Sequence, residues 1–310
     1  MPLGRARSPA LSEYPRPPAH TKRMYKSRPF FLPLLIAALF AAACISYGMT
    51  PLRTAYAEQP EIGLIAKFST YYGDSSENRK HNVALAAKAI DGAIILPEEE
   101  FSFNDAVGAR TEERGYRSAF VIMEGQYVEG VGGGVCQVSG TLYNCALLAD
   151  LAITCVHPHS LPVSYVAPSF DAMVSSASDL RFANTLSAPV TLRMTADGKY
   201  LKAEIYGVKG EFDIRRRSET LRSIPKEVEY LPDPALPLGE ERVDTWGRDG
   251  LVSEGWLEYF ADGELVRTLR IRRDTYKPQN RIVMVGSSPQ PPQETQFDGA
   301  PASAHADRQD

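Results

Sequence analysis

Gly132-Gly133-Gly134-Val135-Cys136-Gln137 is the stretch of this sequence whose residue types are best suited to covalent chemistry. Consecutive glycines permit a tight backbone path and close approach by another group. A helix beginning just after them turns unpaired N–H groups and a positive dipole end toward whatever lies in front. A cysteine there has its thiolate stabilised and becomes a better nucleophile than a free thiol. The neighbouring N–H groups are suited to receive an oxyanion.

A thiol nucleophile needs a base. His81, His157 and His159 are the candidates, because His20 and His305 lie in the end segments. His157-Pro158-His159-Ser160 follows the cysteine helix closely, and His159 is preferred because it leads into an expected strand. Asp171 or Asp179, further on, is suited to orient the imidazole. Cys136, His159 and Asp171, on a helix start and then on successive strands, are similar in order to transglutaminase-like cysteine enzymes, an analogy of arrangement only. A structural role for the same residues stays open, since free cysteines are among the most buried side chains. Cys145, flanked by Leu142 and Ala149, is expected to be buried. Cys136 and Cys145 stand about 13 Å apart on one helix, too far for a disulfide, whereas Cys155 could pair with either.

Around the thiol, Gly133, Gly134 and Gln137 are candidate ligand contacts. Asn104 and Arg110 form a second cluster suited to a carboxylate or amide, Arg110 through its bidentate fork. Neither Cys-x-x-Cys nor His-x-x-x-His spacing occurs, so no metal or cofactor is expected. Ser139 lacks the Gly-x-Ser-x-Gly elbow, and the glycines fit neither the dinucleotide nor the P-loop pattern.

These residues need elements to position them. Ile62, Leu64, Ala66 and Phe68 alternate as a half-buried strand. A helix is expected from about Asn78, as its cap, to Asp91, with Gly92 just past its end. Ala93 to Leu96 reads as a short strand, and 120–123 with 127–131 as a hairpin around Gly125. The cysteine helix should run from about Val135 to Leu151. Strands are expected at 153–156, 163–166, 180–184 and 190–195, the last turning at Asp197-Gly198 into 199–206. This order argues for an α+β domain over 58–207. Beyond it helical periodicity vanishes, and a hairpin around Asp262-Gly263 marks a small, elongated all-β module over 208–286. Residues 287–310, rich in Pro, Gln, Ala and Asp, read as a disordered tail.

Export is the expectation for residues 1–57. Basic residues from Arg5 to Arg28, an apolar run from Phe30 to Ile45 and Ala55-Tyr56-Ala57 follow the order of a signal peptide, with Met24 a plausible start. An uncleaved anchor, which would add the membrane as a partner, and lipidation at Cys44 are the alternatives; each places the rest of the chain outside the cytoplasm. With 310 residues, 44% of them hydrophobic, there is material for one or two packed domains. The net charge of −4 argues against nucleic acid as a partner.

The ordered motifs FSFNDAVGARTEERGYRSA (101–119), GGGVCQVSGTLYNCALLADL (132–151), HPHSLPVSYV (157–166) and DLRFAN (179–184) resemble the VanW family. Cys145 stands where that family usually has a small residue, and Ser169-Phe170 where it has glycine and a basic residue. The resemblance implies an exported, envelope-associated role without supplying a reaction. Gly239, Gly247, Gly250, Gly263 and Gly286 make the C-terminal segment similar to the five-glycine (G5) domain of Gram-positive surface proteins. That likeness implies a partner in peptidoglycan or another N-acetylglucosamine-bearing glycan, met by Trp246 and Trp256. Tyr259 and Phe260, adjacent on an alternating strand, cannot both be exposed.

Overall fold

The computed structural model describes residues 61–123 and 125–288. The leader or anchor over 1–57 and, of the tail expected over 287–310, residues 289–310 lie outside the described residues. Among those described, no helix is long and apolar enough to cross a membrane.

The first module runs β1 (Gly63–Tyr71), α1 (Glu77–Ile90), β2 (Ile94–Ile95), β3 (Glu100–Ser102), α2 (Phe103–Val107), β4 (Ser118–Met123) and β5 (Gln126–Val131). It continues with α3 (Val135–Leu148), β6 (Ala152–Cys155), β7 (Arg181–Ala183), β8 (Val190–Ala196) and β9 (Tyr200–Gly207). An antiparallel sheet in the order β1-β9-β8-β2 carries α3 on β1 and β9 and α1 on β8. β3-β7-β6 form a second, smaller sheet, and β4-β5 an isolated hairpin.

α3 is apolar nearly all round and is the centre of the core, with Val138, Leu142, Cys145 and Ala146 fully enclosed. α1 contributes Val83, Ala86, Ala87 and Ile90 to the same core.

Local expectations failed where an alternative partner was better. Ser76, not Asn78, caps α1: its hydroxyl accepts the Arg79 N–H, and Asn78 instead donates to the Ser118 carbonyl. A bulge between Leu64 and Ala66 swaps the faces of β1, because one extra residue inverts a two-residue period. Ile62 and Leu64 are therefore exposed, while Ile65 packs on the core. α3 stops at Leu148 rather than Leu151. Residues 163–166 form no strand; no helix or strand occurs from 156 to 180.

The second module is all β. Its strands are β10 (Asp213–Ile224), β11 (Val228–Pro237), β12 (Glu241–Thr245), β13 (Gly250–Ala261), β14 (Glu264–Tyr276) and β15 (Arg281–Ser288). They form two three-stranded sheets, β10-β13-β14 and β11-β15-β12, with β11 and β15 parallel. The Asp262-Gly263 turn has positive φ at both residues, as a two-residue hairpin demands. Gly286 is required by packing: a Cβ there would strike the Pro237 carbonyl. Ser288 accepts the Leu238 N–H, so residues 287 and 288, expected in the tail, belong to β15.

Replacing Leu142 with Ala should lower the unfolding free energy by about 2–5 kcal/mol, since α3 has no freedom to collapse into the void. Urea unfolding should show a lowered midpoint with an unchanged slope.

Candidate functional site

The path from β5 into α3 depends on contacts that only glycine allows. A Cβ on Gly133 would lie 2.7 Å from the backbone of Ala119 and Phe120. Gly134 takes φ +108° against Arg79 and Val83 of α1. Asn82, fully buried on α1, fastens this turn by donating to the Arg117 and Gly133 carbonyls and accepting the Arg117 N–H. Asn82 was missed from the sequence; its signal was one amide among the apolar residues of α1.

Cys136 is the second residue of α3. The Val135 and Gln137 N–H groups turn back to the Gly132 and Gly134 carbonyls, leaving the Cys136 N–H at the helix mouth. Its Sγ lies 3.4 Å from the Val174 carbonyl and 3.5 Å from the Val174 nitrogen. His159 Nδ1 is 2.7 Å from Asp171 Oδ2, which also accepts the His159 backbone N–H at 2.7 Å. With Nδ1 occupied, Nε2 is the ring nitrogen left to act on the Cys136 thiol, and the two groups shift each other's titration.

The segment carrying His159 and Asp171 is not the pair of strands expected for it. Side chains of α3 hold it instead: Ser139 donates to the Ala172 carbonyl at 2.6 Å and Asn144 to the Phe170 carbonyl at 2.7 Å. Cys136, Ser139 and Asn144 lie on the side of α3 that faces this loop, and their polar groups set its path. Ser169, where the family's glycine was expected, takes φ +64°. Its N–H donates to Tyr276 Oη and its hydroxyl meets Ser253, both on the second module.

The electrostatics favour an ion pair. Burial pushes the Cys136 thiol up, but the hydrogen bond and charge of His159, then the Val174 N–H and Arg110, outweigh it and hold the thiol below its ordinary value. Burial disfavours the His159 imidazolium, yet Asp171 and Cys136 raise it to about 9. Asp171 is pushed up by burial and brought below the usual carboxylate value by His159, Arg272 and Tyr276. Burial, reinforced by the Glu204 charge, drives Cys145 far upward. Cys136, Cys145 and Cys155 are all free, and His157 lies against Cys155 at 3.5 Å. His81 bonds the Gly115 carbonyl.

A cavity of about 970 Å³ opens before the sulfur, lined among others by Tyr71, Arg110, Phe120, Tyr127, His159 and Tyr165. Gly134 reaches this cavity; Gly133 is not among its lining residues. Gln137 also borders it, but its amide is engaged by Thr70, the Tyr71 carbonyl and Arg79. Asn104 donates to the Ser175 and Ser178 carbonyls and accepts from Arg110 at 2.8 Å, so it aims the guanidinium. Asp179 lies apart, on Ser102, Asn104 and Arg181. Trp246 and Trp256 are on the second module and do not line the cavity. Trp246 is 70% exposed with Arg281 over its ring, while Trp256 is half-buried between Arg217 and Arg270. Tyr259 is buried and Phe260 half-buried, as alternation required.

Residues 78–206 match the family model described as VanW like protein, and residues 215–288 that of the G5 domain. The chain carries a VanW-like domain followed by a G5 domain. It is 40% identical over 169 residues to the uncharacterized protein YoaR of Bacillus subtilis, covering 54% of each chain. It is 28% identical over 139 residues to the vancomycin B-type resistance protein VanW of Enterococcus faecalis, covering 43% of this chain and 50% of that one. The chain thus spans about half the length of the curated relatives it matches. Among solved structures, the HP0197 G5 domain is 26% identical, with TM-score 0.16, over 25% of this chain and 100% of its own. The IgA1 protease G5 domain is 26% identical, with TM-score 0.18, over 26% and 99%.

The lowered thiol and raised imidazole values define a pH window, ending near 9, in which thiolate and imidazolium coexist. Iodoacetamide at pH 7 should therefore label Cys136 well before Cys145. His159→Gln should move the labelling midpoint upward toward that of a free thiol, measured by peptide mass spectrometry.

Proposed function

We propose that this chain is a thiol acyl-transfer enzyme of the bacterial cell envelope, acting on amide bonds of wall peptides. The observation that carries this reading is His159, bonded through Nδ1 to buried Asp171 and facing Cys136 at a helix mouth beside a large cavity. The Cys136 thiolate attacks the amide carbonyl carbon, and the Cys136 N–H receives the developing oxyanion. Collapse breaks the C–N bond as the His159 imidazolium gives its proton to the leaving amine, and a thioester remains. Water or a second amine then attacks the thioester, His159 takes the incoming proton, and Cys136 departs as thiolate. Asp171 keeps the imidazole in the orientation and tautomer these steps need. Arg110, aimed by Asn104, recognises a carboxylate on the substrate. The G5 module holds wall glycan bearing N-acetylglucosamine, and the N-terminal segment directs export.

A second reading is an accessory protein that binds peptidoglycan without turnover; the exposed ring of Trp246 favours it. Incubation with defined wall peptides, followed by mass spectrometry, separates the two. Cys136→Ala should reduce turnover by at least about 1,000-fold while retaining the protein on insoluble peptidoglycan. Retention without any turnover by the unmodified protein would leave only the binding reading. Arg110→Gln should lower kcat/KM by about 10- to 100-fold for carboxylate-bearing peptides, the worth of one charge-assisted hydrogen bond.

A further inference from the structure

The Asp171 carboxylate takes two hydrogen bonds on each oxygen, and the pairs come from different modules. Oδ2 receives both His159 donors. Oδ1 receives the Tyr276 hydroxyl at 2.5 Å and the Arg272 guanidinium at 3.3 Å, both from β14. Arg272 also donates to the Asp171 backbone carbonyl at 2.8 Å, so its fork spans the residue. These groups are enclosed: Tyr276 and Asp171 are each 1% exposed.

The need for such support follows from where Asp171 sits. Its segment belongs to no helix or strand, and a carboxylate on such a segment is free to rotate away from the imidazole unless something occupies its other oxygen. β14 supplies that hold from a strand paired along its length with β13. Arg272 is itself oriented by Asp274, through Nε to Oδ2 at 2.6 Å. Tyr276 Oη accepts the Ser169 N–H, two residues before Asp171, at 2.7 Å. Docking of the modules has separate supports. Tyr259 Oη donates to Asp150, Ser218 to the Pro168 carbonyl, and the Lys277 N–H to the Ser160 carbonyl.

We propose that Tyr276 and Arg272 are positioning residues of the thiol site, so that the β-module completes the active centre of its neighbour by aiming the Asp171 carboxylate at His159. This rests on the Cys136–His159–Asp171 reading above. By occupying Oδ1, the two side chains leave only Oδ2 for the imidazole, and the Arg272 charge keeps the carboxylate ionised within its enclosed site. Truncation of the second module and loss of the catalytic acid's orientation are then one event.

The test uses the full chain and needs no substrate: the pH profile of Cys136 alkylation by iodoacetamide, read by peptide mass spectrometry, with thermal unfolding recorded for each variant. Tyr276→Phe keeps the ring and removes one donor; Arg272→Lys keeps the charge and removes the fork. Tyr259→Phe removes an inter-module hydrogen bond that does not touch Asp171. Each of the first two should raise the labelling midpoint by about one pH unit and slow labelling at pH 7 about tenfold, while Tyr259→Phe leaves the profile in place. If Tyr276→Phe loses cooperative unfolding, Arg272→Lys decides alone. Folded Tyr276→Phe and Arg272→Lys proteins with the unmodified profile overturn the proposal, as does an equal shift in Tyr259→Phe. An unmodified protein whose Cys136 titrates like an ordinary thiol overturns the thiol-site reading itself, and the proposal with it.

Discussion

A row of groups suited to alternating charge runs from the cavity into the second module: the Cys136 thiol, the His159 imidazole, the Asp171 carboxylate, the Arg272 guanidinium and the Asp274 carboxylate. Taking any one of these charges out of water costs several kcal/mol, and only an excellent partner on each side offsets it. Asp171 meets that condition with all four of its hydrogen bonds made inside the protein. Loss of one neighbour would leave the next charge buried and uncompensated, which is worth about 3–5 kcal/mol and far exceeds any surface ion pair in this chain. The site and the junction of the modules are therefore one electrostatic object.

The geometry around that row follows from α3. A helix this apolar, and buried along almost its whole length, is drawn into the core, and its first turn is carried inward until the thiol meets the 170–174 segment. The few polar side chains on α3 are all bonded: Gln137 to β1, Thr141 to Thr70, Ser139 and Asn144 to the loop. Arg216 of β10 reaches across to Asn144 and lies over the Phe68 and Phe170 rings at 4.2 and 4.7 Å. Burial lowers that guanidinium to about 10, and its aromatic neighbours supply the cation–π attraction that keeps it there. The second module is seated by charged and aromatic contacts rather than by apolar area alone.

Some of this was legible beforehand. Glycines before an apolar helix announce a thiol at a helix start, and the hairpins at Gly125, Asp197-Gly198 and Asp262-Gly263 follow from turn chemistry alone. His159 and Asp171 were legible by type and order, though not by element: both sit in irregular chain. Other expectations failed because a side chain has several possible partners or because the backbone register shifts. Asn78 could cap α1, but the Ser118 carbonyl claims it. Gln137 and Asn104 could face a ligand, but nearby carbonyls and Arg79 or Arg110 satisfy their amides. Leu64 alternates correctly, but a bulge moves it to the other face.

The residue string by itself determined the features that arise within a few positions: where helices and turns begin, which faces are apolar, and which residues carry a thiol, an imidazole or a carboxylate. Whether that thiol would lie sealed or open was decided by groups tens of positions away from it, and what would steady the acid by groups more than a hundred positions away. Tyr276 and Arg272 have no local signature that assigns them to Asp171, because β14 alternation says only which face a side chain takes. Hydrogen bonds and ion pairs of this kind are short-ranged in space and indifferent to sequence separation, so only the packed chain could select them.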